Sequence, residues 1–299
     1  MSKHIIRTEY LKLKGNMSFK VMAIFFIVFL PVIILTLPTI VDDSPTGPYP
    51  FLPRDYETTW YFTAYVASWF SLFILSFILI FHITNEYTNK TVRQNIIDGY
   101  SRSDFFKSKF YMLIVMAIVA TIYVFIVGLV AGVYFQTFNV PSGLGINTSN
   151  ISADDLTNPL EMIGKVLTAE PEIRDFGTIW DGVESVLSYF VQVLAYFIFA
   201  IFIAFSFRRG AVSVILYYAL FFVEFLSVSI LEYNDLQWLA DNLPLRTFSL
   251  VLPTPGINNI MFGLTSVDTL DLYKVTMSVV YMIVFLIITR IIFGKRDVA

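Results

Sequence analysis

The sequence predicts an all-helical integral membrane protein, a six-helix transmembrane bundle with both termini in the cytoplasm. Three observations carry that prediction: an apolar composition, six apolar runs of spanning length, and basic residues concentrated in alternate loops. Of the 299 residues 57% are hydrophobic and 14% charged, where a soluble domain carries roughly 25% charged residues. The absence of Cys excludes disulfides, thiolate nucleophiles and thiolate metal sites. With only His4 and His82, a multi-histidine metal centre is excluded as well.

A hydrocarbon core of about 30 Å needs roughly 20 helical residues, and the chain meets that length at 21–40, 60–83, 110–135, 186–207, 211–231 and 272–293. Lipid offers backbone amides no partner, so each run must be a helix whatever its β-branched content. The first run is longer than the apolar part of a signal peptide, contains Pro31 and Pro38, and is followed by no small-residue cleavage site. It reads as a retained span, kinked at Pro31.

Alternation of six spans places 15 of the 20 basic residues on one side: in residues 1–20, in 84–109, at Arg208 and Arg209, and in the tail from Arg290. The other side holds Arg54, Lys165, Arg174, Arg246 and Lys274 among 17 acids. The positive-inside rule makes the basic side cytoplasmic; the expected location is a bacterial inner membrane, as a multi-pass protein. Residues 1–299 form one transmembrane domain.

The two largest outer segments are 136–185 and 232–271. In the first, Asn158-Pro159 is a helix-start signal, and Leu160, Ile163, Val166 and Leu167 share a face, which predicts a short interfacial helix. The second, rich in Pro and Gly, is expected to dip into or lie along the membrane. The two halves have unlike inner connections, one spanning 84–109 and the other little more than Arg208-Arg209-Gly210. That asymmetry argues against the matched halves of an inverted-repeat carrier.

Within the longer connection, Val92, Ile96, Ile97 and Tyr100 recur at helical spacing, so residues 91–98 form a short amphipathic helix that Gly99 can end. Ser101 is placed to cap a second helix, with Asp104 three residues on in a near capping-box arrangement. At the N-terminus Ile6, Tyr10, Leu13 and Met17 share a face, with Glu9, Lys12 and Lys14 elsewhere, as in a helix lying in the membrane surface. By itself this pattern fits a plain interfacial connector drawn to lipid headgroups.

The order Glu86, Thr91, Arg93, Gly99, Ser101, Arg102, Lys109 resembles the first cytoplasmic loop of ABC-2 type transporter permeases. There a Glu opens the loop, a Gly-Thr pair and a basic residue follow, and a Ser/Thr-Arg turn precedes a Lys at the next span. The sequence departs at Lys90, where the family commonly has Gly, so the local turn can differ. The resemblance implies that the 86–109 loop is the coupling helix of an exporter's membrane subunit, gripped by a separate ABC ATPase that binds ATP and Mg. It also implies a second copy or a related permease as partner, and no cofactor in this chain.

Glu224 is an acid well inside the fifth span, a position usually tied to a cavity, a partner or a proton pathway. A paired or protonated carboxyl at a helix seam is the plainer reading. Gln192 can bond across to another helix or line a cavity. His82 reads as an interfacial imidazole without a special role, and Trp60, Trp180 and Trp238 as aromatic belt. Catalytic motifs are lacking: Gly164-Lys165 and Gly294-Lys295 have neither the upstream Gly nor the following Ser/Thr of a phosphate-binding loop. Basic residues beside spans reflect orientation rather than nucleic acid. The competing functional class is a stand-alone protein, either a secondary carrier using Glu224 or a non-transporting sensor or immunity subunit.

Overall fold

The computed structural model describes residues 9, 11–42, 56–97, 99, 101–138, 179–253 and 270–295. The regular elements among the described residues are all helical: α1 (Met17–Asp42), α2 (Tyr56–Phe70), α3 (Ser76–Thr88), α4 (Thr91–Ile97), α5 (Arg102–Phe138), α6 (Ile179–Phe207), α7 (Gly210–Tyr233), α8 (Gln237–Asp241), α9 (Pro244–Ser249) and α10 (Leu272–Lys295). Glu9 and residues 11–15 add a helical stretch before α1. Six stretches are long and apolar enough to span: Met17–Leu37, Thr59–Thr88, Arg102–Phe135, Gly182–Phe207, Gly210–Tyr233 and Leu272–Lys295. Each overlaps a run read from the sequence. The third starts earlier than its apolar run because its first two turns are polar and are set by a cap rather than by hydropathy.

The second span is α2 and α3 joined by one π turn, Ser71–Leu75. A π turn inserts an extra residue into the ladder, and its freed groups need partners. Here the Ser76 hydroxyl donates to the Ser71 carbonyl at 2.9 Å, and the Ser71 and Tyr189 hydroxyls meet at 2.6 Å, tying the second span to the fourth. Those two spans form the middle of the bundle, with 67% of each apolar window buried, against 11–33% for the others. α6 packs on the second, third, fifth and sixth spans, and α1 packs on the second and third. α1 stays helical through Pro31 and Pro38.

Part of the segment 232–271 lies among the described residues. α8 and α9 turn back after α7, and α9 packs on α6, α7 and α10 with Leu245, Phe248, Val251 and Leu252 buried. The interfacial helix expected near residue 158 and the remainder of 254–269 lie outside the described residues.

Trp60 is not a belt residue. It is 1% exposed, and its indole fills a slot between Gly128 on α5 and Gly182 on α6, where a Cβ would lie 2.5 and 2.4 Å from ring atoms. Trp238 is 75% exposed. Trp180 has no described side chain.

Gly128→Ala or Gly182→Ala should therefore overpack the slot and lower stability by ~1–3 kcal/mol. Thermal unfolding in detergent reads the loss, and combining Gly128→Ala with Trp60→Phe, whose smaller ring frees space, should recover part of it.

Candidate functional site

The loop between the second and third spans is built as the sequence predicts, with one turn solved differently. α4 ends at Ile97, and Gly99 follows with φ +96°, donating its N–H to the Ile96 carbonyl at 3.1 Å. That left-handed conformation is open to glycine at no steric cost. Ser101 caps α5: its hydroxyl accepts the Asp104 N–H at 3.1 Å and donates to the Asp104 carboxylate at 2.7 Å. At Lys90, where the resemblance has glycine, the backbone is also left-handed, φ +57°. The Thr91 hydroxyl closes the same turn by donating to the Glu86 carbonyl at 3.1 Å.

Only part of α4 faces the bundle. Val92 is buried and Ile96 packs against the core, whereas Ile97 is 74% exposed, contrary to the single face expected for the three. One turn after Arg93, Ile97 falls on the outward side with Arg93 and Gln94, both exposed. Arg102 is exposed too, and its guanidinium donates to the Gly294 carbonyl at the end of α10 at 3.0 Å. The described loop residues therefore divide into an outward tip carrying Arg93, Ile97, Gly99, Ser101 and Arg102, and two inward feet.

The feet are Glu86 and Lys109, and neither projects. Glu86 is 6% and Lys109 0% exposed. Their side chains close into a ring with Glu9 and Lys12 from the helical stretch before α1. Lys12 Nζ lies 2.9 Å from Glu86 Oε1 and 3.2 Å from Glu9 Oε1; Lys109 Nζ lies 2.6 Å from Glu86 Oε2 and contacts Glu9 Oε2. His82 Nε2 approaches Glu9 Oε2 at 3.4 Å. Each carboxylate thus touches both ammonium groups, and the four charges alternate and cancel.

Two readings are corrected here. The N-terminal stretch turns Glu9, part of its polar side, into the protein together with Leu13 from its apolar face, both buried. His82, 4% exposed, belongs to the cluster rather than standing idle at an interface.

Glu9, His82 and Glu86 bring ligand atoms within 4.8 Å of one another, a spacing suited to a cation. The Lys109 ammonium stands between the two carboxylates and is that cation. Burial pushes the Glu9 carboxyl up, but the His82 hydrogen bond and the Lys109 and Lys12 charges outweigh it and hold Glu9 well below the usual carboxylate range. Burial likewise pulls Lys12 down, and the Glu86 and Glu9 carboxylates outweigh it and hold the ammonium above its ordinary value of 10.5. A depressed carboxyl contributes stability that is complete above its ordinary 4.5 and lost as pH falls below it. A raised ammonium contributes stability that is complete below 10.5 and lost above it. Glu9 and Lys12 are both charged across neutral pH.

Outside the loop, Glu224 and Gln192 take local roles. Glu224 Oε1 accepts the Arg246 backbone N–H at 2.7 Å, and the carboxylate also takes a backbone bond from Leu245. It thus caps the first turn of α9 from across the bundle. The Arg246 guanidinium turns to Glu232 at 3.3 Å instead. Gln192 bonds within its own helix, its amide donating to the Tyr196 hydroxyl at 3.2 Å. Among the described residues it makes no cross-helix bond, and its carbonyl oxygen has no partner there.

Reading the sequence identified Glu86 and Lys109 but missed Glu9, Lys12 and His82. Their one available signal was spacing: Glu9 and Lys12 three apart, His82 and Glu86 four apart, each pair on a single helix face.

Residues 5–152 match the family model described as ABC-2 family transporter protein, a match that covers the N-terminal stretch, the first three spans and the whole loop. No curated protein matches the chain.

Lys109→Met should leave two buried carboxylates sharing one half-exposed lysine and cost ~3–5 kcal/mol, read as a lower unfolding midpoint at neutral pH. Glu9→Gln should flatten the acid limb of the stability curve below the ordinary Glu value of 4.5; an unchanged limb would show that Glu9 is not charge-paired. Lys90→Gly should be neutral or stabilising, and Lys90→Val should cost ~1–2 kcal/mol, because a β-branched side chain resists positive φ.

Proposed function

We propose, from the match of residues 5–152 to the ABC-2 transporter family, that the chain is the permease subunit of an ATP-driven exporter, coupled through the 86–109 loop to a separate ABC ATPase. Permeases of this family usually work with such a subunit. The carrying observation is the division of the loop: feet locked by a buried ring of charges, and an exposed tip with Arg93 and Ile97 side by side. A cationic and apolar tip on rigid feet suits a cleft in another protein, because force applied to the tip reaches the spans without being absorbed by the loop.

On this reading both termini are cytoplasmic and the bundle sits in a bacterial inner membrane, paired with a second copy or a related permease. ATP and Mg are bound by the partner, and closure of the ATPase biases the spans between two packings by differential contact with the tip. The Glu224 carboxylate is engaged by the α9 backbone, which counts against a proton-coupled carrier.

Arg93→Glu should reduce recovery of the ATPase with the affinity-purified chain by about tenfold or more, equivalent to ~1.4 kcal/mol, and deletion of 93–102 should abolish it while insertion persists. Retention of the ATPase by the inserted deletion variant would refute docking at this loop. Glu224→Gln should leave the pH dependence of transport unchanged.

A further inference from the structure

We propose that the helical stretch before the first span clamps the loop, with Glu9 and Lys12 as positioning residues that fix the separation of its two feet and hence where its tip stands. The bearing of this clamp on coupling rests on the docking reading above; the clamp itself does not.

The loop's feet belong to different spans, Glu86 at the end of α3 and Lys109 in the third turn of α5, and the direct bond between them is one contact of 2.6 Å. A single ion pair leaves the two helices free to pivot about it. Glu9 and Lys12 convert that contact into a closed ring, each bridging toward a foot of opposite sign: Glu9 to Lys109, Lys12 to Glu86 at 2.9 Å. A ring of four alternating charges has one low-energy arrangement, since sliding any member brings like charges together. His82, one turn before Glu86 on α3, holds Glu9 from the other side at 3.4 Å.

Solvent access divides the ring. Lys109 is shut in, its side chain 1% exposed, whereas the Lys12 side chain is 32% exposed. Lys12 borders a cleft of about 350 Å³ lined also by Asn16, His82, Asn85, Glu86 and Asn89. The stretch before α1 is thereby the part of the ring that can be withdrawn without unpacking a spanning helix. Neither Glu9 nor Lys12 lies on the exposed tip, so their effect on a docked partner is exerted through the feet.

Because the chain contains no cysteine, spin labels at Gln94→Cys on the tip and Lys295→Cys at the exposed end of α10 report the tip position in nanodiscs without further changes. The parent should give one narrow distance distribution. Glu9→Gln should lose that single peak, and Lys12→Met, at a part-exposed site, should broaden or displace it with a smaller loss of unfolding midpoint than Lys109→Met. Glu9→Asp, which keeps the charge, should restore more of the peak than Glu9→Gln.

An unchanged distribution in inserted Glu9→Gln and Lys12→Met would overturn the clamp, and so would a lowered midpoint with no change in tip distance, the signature of a merely structural role. ATPase recovery separates the two proposals. A disturbed tip with undiminished recovery upholds the clamp and sinks docking at this loop, whereas diminished recovery with an undisturbed tip sinks the clamp.

Discussion

The alternating charges of Glu9, Lys12, Glu86 and Lys109 are the constraint on which the loop end of the molecule depends. Taking any one of these ions out of water alone costs several kcal/mol, so each is tolerable only in the presence of the others. Three chain segments, the stretch before α1, the end of α3 and the start of α5, must therefore meet in one register. Apolar contact would not impose this, because Leu13, Val92 and Phe105 around the ring could slide by a fraction of a turn and keep most of their burial.

The rest of the bundle uses a different principle. Between spans in lipid the hydrophobic effect gives no net attraction, and packing quality decides. The slot that Gly128 and Gly182 open for Trp60 and the Ser71–Tyr189 bond at the π turn are instances of it: a small residue admits a large ring, and a hydroxyl pair locks the second span against the fourth. Glu224 caps α9 by a related logic, since the first N–H groups of a helix have no partner within it and the Glu224 carboxylate accepts the Arg246 N–H. A charged group at depth is here explained by backbone need.

Together these give a bundle with a buried middle and one end tied by charges. The tip carries exposed charge and apolar surface, the feet are buried, and the least buried member of the ring sits beside a cleft.

The spans, the Ser101 cap, the Gly99 stop and the outward Arg93 were legible in the sequence, because each follows from local rules: hydropathy over about 20 residues, capping spacings and the conformational freedom of glycine. The opening Glu and closing Lys of the loop were legible as a pattern too. What the sequence could not decide was which side chains those residues would meet. Glu9 lies 73 positions from His82 and 100 from Lys109, and nothing in either neighbourhood distinguishes a solvated carboxylate from a buried one. Trp60 reads as an interfacial residue until two glycines from other spans close on it, and Ile97 reads as core until the helix turns it outward. Local periodicity fixes what each segment must become in lipid; only the packing of distant segments sets the dielectric around each charge and so decides whether it is surface or keystone.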